Sequence, residues 1–152
     1  MPNFVRNILH FDGKNIQPIL DFVSSNYSVF DFNKIMPEPE NCADWYRWRV
    51  ENWGTKWNAV DAEKIDAGFM FDTAWAAPLL IIKKLSELFP KIKLSVTWSD
   101  EDAGQNCGQI TYLNGIELDW YYPDRAEEVA EIYKECWGMP PFEEGRQDDE
   151  IK

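Results

Sequence analysis

IKLSVTW, residues 92–98, alternates Ile92, Leu94, Val96 and Trp98 with Lys93, Ser95 and Thr97. Successive side chains of a strand point to opposite sides, so this period of two puts the apolar residues on one sheet face. Upstream, Leu79, Ile82, Leu85, Leu88 and Phe89 recur at helical spacing within residues 76–89, with Lys83, Lys84 and Glu87 off that face. Pro78 falls in the first turn, where its missing N–H costs little, and Pro90 follows the end. Downstream, residues 109–113 and 116–121 flank Asn114-Gly115, a strong two-residue hairpin signal.

The rest of the chain extends the alternation of strands and helices. Residues 3–10 read as a strand ending at the Asp12-Gly13 turn, and 15–25 as a helix with Ile16, Ile19, Leu20 and Val23 on one side. Residues 29–35 read as a strand with Phe30 and Phe32 on one face, stopped by Pro37 and Pro39. Asp44 suits the N-cap of a short helix over 44–51, and Gly54 suits a left-handed stop. Residues 64–72 read as a strand. Asp124 and Glu127 have capping-box spacing before a helix with Val129, Ala130, Tyr133 and Trp137 on one face. This order predicts a ferredoxin-like α+β sandwich: a repeated βαβ unit with an added hairpin and C-terminal helix. Its helices would pack on one face of a mixed or antiparallel sheet. Residues 1–141 form one expected domain, and 142–152 an acidic, mobile tail.

The 152 residues carry a net charge of −12, distributed unevenly. Residues 1–99 hold 12 acids against 11 bases, and residues 100–152 hold 15 against 4. Such a surface repels phosphate backbones, so direct nucleic-acid binding is disfavoured. The acidic excess reads first as a solvated helix face and tail, and, where it meets a partner, a basic protein surface is the type that fits. Glu127, Glu128, Glu131 and Glu135 form the candidate acidic face on the last helix. No apolar run reaches the roughly 20 residues of a membrane span. The start, MPNFVRNILHFDG, lacks a basic stretch followed by a long apolar one, so no signal peptide is expected. Cys42, Cys107 and Cys136 are odd in number and scattered, which favours reduced thiols and a cytoplasmic location over a disulfide framework. His10 is the single histidine, and neither CxxC nor HExxH occurs, so no metal or other cofactor is expected.

The densest concentration of chemistry is NWGTKWNA, residues 52–59, with Trp45 and Trp48 before it and Trp75 after. Tryptophans are mostly buried, so these read first as the wall of the core. Lys56, Arg47 and Arg49 among them offer an anion or cation–π contact. Asp72, at a strand end before a helix, reads as a helix cap assisted by Thr73, or as a proton acceptor. Ser99-Asp100-Glu101-Asp102 lacks the spacing of a calcium loop and reads as a solvated turn.

MPNFVRNIL, FDFNKIMPEPE, WRVENWGTKWNAVD, FDTAWAAPLLIIKKLSELFP and WSDEDAGQNCGQITYLNG occur here in this order. In them the chain resembles the YubB ferredoxin-like domain family of phages, plasmids and bacteria, a domain of unknown function. The resemblance covers most of residues 1–122. Phe4 stands where the family has Trp, and Ala76-Ala77-Pro78 replaces its SPP or SAP. The resemblance implies the ferredoxin-like fold, with no iron–sulfur cluster, and carries no catalytic residues. Its shared motif residues are Asn52, Trp53, Gly54, Thr55, Lys56, Trp57, Asn58, Asp72, Thr73 and Trp75.

These readings favour a non-enzymatic protein-binding module. Its sharper form is an acidic decoy that imitates nucleic acid on a host factor. The alternative is a small-ligand binder or enzyme with a site at Trp53, Lys56, Asn58, Asp72 and Trp75, and a homodimer is a third possibility.

Overall fold

The computed structural model describes residues 3–141. The elements run β1 (Phe4–Asp12), α1 (Gln17–Val23), a 3-10 turn (Phe32–Lys34), α2 (Trp45–Asn52), β2 (Val60–Ile65), β3 (Gly68–Ala74), α3 (Leu79–Leu88), β4 (Lys93–Asp100), β5 (Cys107–Leu113), β6 (Ile116–Tyr121) and α4 (Ala126–Trp137). The six strands form one sheet in the order β2-β3-β1-β4-β5-β6, with every pair antiparallel. β3 lies between β1 and β2, and β1 lies between β3 and β4. Both βαβ units are therefore split by a strand of the other, which is the ferredoxin-like arrangement. β5 and β6 extend it beyond β4.

One face of the sheet carries the main core. Val5, Leu9 and Phe11 of β1, Phe69 and Phe71 of β3, and Leu94, Val96 and Trp98 of β4 pack there against Ile19, Leu20 and Val23 of α1 and Ile81, Ile82 and Leu85 of α3. The alternation in residues 92–98 is thus realised. Gly68 is required: a Cβ there would collide with the Leu9 carbonyl of the neighbouring strand. Asn114 and Gly115 both take positive φ, 51° and 78°, as a twisted two-residue hairpin demands. Asp44 caps α2 by accepting from the Arg47 amide, and Gly54 takes φ 84° after it.

Several expectations are corrected. Residues 29–35 do not form a strand. The Asp31 carboxylate accepts from the Asn33 amide, closing a tight turn, and Phe30 and Phe32 enter the core from this loop. The strand expected over 64–72 is the middle of a hairpin, β2–β3, whose turn places Ala67 at φ 57°. The capping box at Asp124 is not formed: Arg125 is the N-cap of α4, without a side-chain bond to the helix. Asp72 and Thr73 do not cap α3, which starts at Leu79 without a side-chain cap. Finally, the helices do not all share one face. α4 packs on the opposite side, where Ile132 and Cys136 meet Cys107, Ile8, Val129 and Trp137 in a second, smaller cluster. The reason is register: Ile8 and Cys107 have strand parity opposite to Leu9 and Gly108, so their side chains point away from the main core. The tail expected over 142–152 lies outside the described residues.

Candidate functional site

The NWGTKWNA stretch divides between structure and surface. Trp53 is fully buried, stacks edge-on with Phe32 and Trp48, and donates from its indole to the Met36 carbonyl at 2.8 Å. Asn52 donates back to the Trp48 carbonyl within α2. Asn58 is a latch: its Oδ1 accepts from the Phe32 and Ala59 amides, and its Nδ2 donates to Asp31 at 2.8 Å. Asp31 also accepts from the Ser25 hydroxyl at 2.7 Å. Burial alone would raise the Asp31 pKa, but bonds from Asn58, Ser25 and Asn33 outweigh it and hold the carboxyl below its ordinary value. Trp53, Trp57, Asn58, Asp31 and Arg49 line an open cleft of about 910 Å³ beside edge strand β2. Arg49 is engaged there by two bonds to Glu38, at 2.8 and 2.9 Å. Asp31, Asn58 and Arg49 are therefore already engaged within the protein.

Lys56 is different. Its ammonium lies 4.9, 5.2 and 5.3 Å from the ring centres of Trp75, Tyr46 and Trp57, and no described carboxylate pairs with it. Trp45 stacks on Tyr46 at 5.9 Å, and Tyr46 on Trp75 at 6.3 Å, so an exposed row of rings runs beside the lysine. Trp75 is 46% exposed with φ at 68°, a left-handed conformation unusual for a bulky residue. Its amide is tied to the Asn3 carbonyl and its carbonyl to the Asn106 amide group.

Asp72 and Thr73 do not join Lys56. Asp72 forms a two-pronged pair with Arg6, at 2.8 and 3.1 Å, directly across β1 and β3. The Arg6 guanidinium lies 4.2 Å from the Trp137 ring centre, so this pair sits beneath α4. The hydrogen bond to Asp72 raises the Arg6 pKa further. Thr73 is buried on the core side, donating to the Ala76 carbonyl and accepting from Asn7, whose Oδ1 has no hydrogen-bond partner among the described residues. The expected group thus separates into a latch, a half-buried cation beside exposed rings, and an ion pair under the last helix.

A second surface lies at the other end of the sheet. Glu127, Glu128, Glu131 and Glu135 of α4 line a groove of about 370 Å³ with Gln109 and Tyr121. Glu127 pairs with Arg125 at 3.1 Å, while Glu128, Glu131 and Glu135 have no basic partner among the described residues. The Tyr121 hydroxyl is held above its ordinary pKa by desolvation and by Glu128. Every residue of β6 is exposed, among them Ile116, Leu118 and Trp120. Cys107 and Cys136 are held as thiols at neutral pH: burial pushes Cys136 up to about 12 and raises Cys107. No described helix is long and apolar enough to cross a membrane.

Composition drew attention to the α4 glutamates, but four contributors escaped it. Arg6, Tyr46 and Trp137 act through partners distant in sequence, which no local pattern encodes. Asp31 was readable as a turn residue, since aspartate often bonds an amide two positions on.

A family model described as the ferredoxin-like domain in Api92-like protein matches residues 52–137. The name matched is Api92; the YubB name suggested by the motifs is not. Among solved structures, the crystal structure of protein Api92 from Yersinia pseudotuberculosis is similar at 14% identity and a TM-score of 0.47. The alignment covers 62% of this chain and 40% of that one. No curated protein matches.

Proposed function

The chain belongs to the family of ferredoxin-like domains of Api92-like proteins, and on that footing we propose a non-enzymatic protein-binding module. Its contact surface is the groove between α4 and β6. The observation that carries this reading is the row Glu128, Glu131 and Glu135, exposed or partly exposed beside Tyr121 and without described basic partners. Positions i, i+3 and i+7 stack along one helix face, so the carboxylates form a continuous acidic rail. A protein surface rich in lysine or arginine complements it, chiefly through association rate and specificity. In the narrower version the rail occupies the nucleic-acid site of a host factor. Tyr121 and Ile132, which line the groove with it, favour a protein contact over pure phosphate imitation.

The test is capture from host lysate with wild type and the Glu127→Gln, Glu128→Gln, Glu131→Gln, Glu135→Gln variant, eluted by salt and separately by added DNA. A salt-sensitive protein lost in the variant supports the module, and elution by DNA supports the decoy version. Identical captures by both proteins refute the acidic surface.

A second reading is favoured by the strained, exposed Trp75 beside Lys56: a platform on which a planar anion stacks and meets the ammonium. Titration with adenosine monophosphate or benzoate, followed by tryptophan fluorescence, tests it. No change at millimolar ligand removes both probes and the reading with them.

A further inference from the structure

The sheet ends at β6, and no further described strand covers its outer side. Exposed edges present unpaired N–H and C=O groups, and proteins usually blunt them with lysine, proline or a covering helix. β2, the opposite edge, is blunted. It carries Asp61, Glu63 and Lys64, and a bulge with Asp61 at φ 51° breaks its register. β6 reads IELDWY, without proline or lysine, and all six residues are exposed. Its single irregularity lies between the pairs Thr111–Asp119 and Tyr112–Glu117, which leaves Leu118 as the extra residue.

The ladder assigns faces to β6. Tyr121 lies opposite Gln109 and Asp119 opposite Thr111, and Gln109 and Tyr121 line the acidic groove. These side chains therefore share the α4 side. Trp120 lies opposite Ile110, a main-core residue, and so points to the other side. Tyr122 meets Trp98, also of the main core, edge-on at 6.0 Å. An added strand would meet Asp119 and the α4 carboxylates on one face and Trp120 and Tyr122 on the other, with Glu117 further along that second face opposite Tyr112.

We infer that β6 accepts a further β-strand from a partner protein: an extended segment in which basic residues alternate with apolar ones. The proposal rests on the acidic-surface reading for the basic positions, and on the open edge for the mode of binding. Main-chain bonds to β6 supply affinity, and the alternation supplies selectivity. Lysine or arginine at every second position reaches Asp119 and the Glu128, Glu131 and Glu135 rail. The intervening residues cover Trp120. Charge decides against two other occupants. Residues 142–152 of this chain carry five acids and two bases, the wrong sign for the groove. A second copy paired edge to edge would bring its own Glu117, Asp119 and glutamate rail against the same groups here, like charge against like, which is destabilising.

The experiment uses the full chain, isotope-labelled, and three synthetic decapeptides. The first alternates lysine with valine. The second replaces each lysine with glutamine. The third keeps the first sequence but N-methylates alternate amides along one edge. Amide shifts of residues 116–121 report the site, and titration gives affinity. The expected result is binding of the first peptide at β6, with each change weakening it at least about tenfold, since each removes several charge-assisted or main-chain bonds. Loss with glutamine but none with N-methylation overturns strand addition and leaves the acidic surface standing. Loss with N-methylation alone keeps strand addition and refutes the basic partner. No shift at residues 116–121 with any peptide overturns the proposal. So does concentration-dependent self-association through β6 in sedimentation.

Discussion

Trp75 permits a test of sign, which is harder to satisfy by accident than a test of size. Its φ of 68° lies in the left-handed region, where a residue with a Cβ carries about 1–2 kcal/mol of strain. Trp75→Ala and Trp75→Gly both delete the ring, losing the same stack on Tyr46 and the same contact with Lys56. They differ only in the backbone term. In a strand or helix, glycine is worse than alanine by roughly 0.5–1 kcal/mol because it loses more freedom on folding. Here the relief of strain exceeds that cost, and the Gly variant should be the more stable by about 1 kcal/mol. Urea unfolding followed by far-UV circular dichroism measures both. In thermal unfolding the gap corresponds to about 2–4 °C for a chain of this size. An Ala variant equal to or more stable than the Gly variant would show that residue 75 is not held left-handed, and the presentation of its ring would lose its basis.

Two further outcomes follow from the buried groups. Asp31→Ala strands the Ser25 hydroxyl, the Asn33 amide and the Asn58 amide group, and should cost about 2 kcal/mol at pH 7. Because the folded carboxyl titrates below its ordinary value of 3.8, this stabilisation is complete above that value. It is lost as the pH falls through the lower, folded-state value, so acid titrations of wild type and variant should converge at low pH. A constant gap would contradict the assignment. In thiol labelling at pH 8, partly exposed Cys42 should react rapidly, while Cys107 and Cys136 stay protonated and covered until the protein unfolds. Three equally fast thiols would contradict the packing of α4 on β5.

Where local chemistry decided an element, the sequence was enough. The alternation of residues 92–98 needs only a strand with one covered face, and Asn114-Gly115 needs only its own backbone preference. Where tertiary partners decided, reading failed. Phe30 and Phe32 mimic a strand because two aromatics at i and i+2 look the same from a strand or from a loop folded over a core. β2 was concealed by Asp61, Glu63 and Lys64, charges that suit an edge and obscure its period. The last helix was expected to turn Val129, Ala130, Tyr133 and Trp137 inward, but it buries Ile132 and Cys136, with Val129 and Trp137 packed beside them, and nothing along α4 states which side of the sheet will receive it. The Arg6–Asp72 pair was beyond local reading, since it depends on the register of two strands far apart in sequence. Of the expected site, Lys56 and Trp75 came together, Asn58 proved a latch, and Asp72 belongs to the α4 side.

The position of β1 has a kinetic consequence. It is the first strand in the chain, yet its neighbours are residues 68–74 on one side and 93–100 on the other. Contacts so distant in sequence slow folding, because loop closure precedes any gain from pairing. During synthesis β1 waits with both edges unsatisfied until β3 has emerged, and with one edge open until β4 follows. The matched span 52–137 omits β1 altogether. A fragment of that span would hold β3 and β4 without the strand that joins them, and should behave as a hairpin, β2–β3, and a three-stranded meander, β4–β5–β6, disconnected from each other.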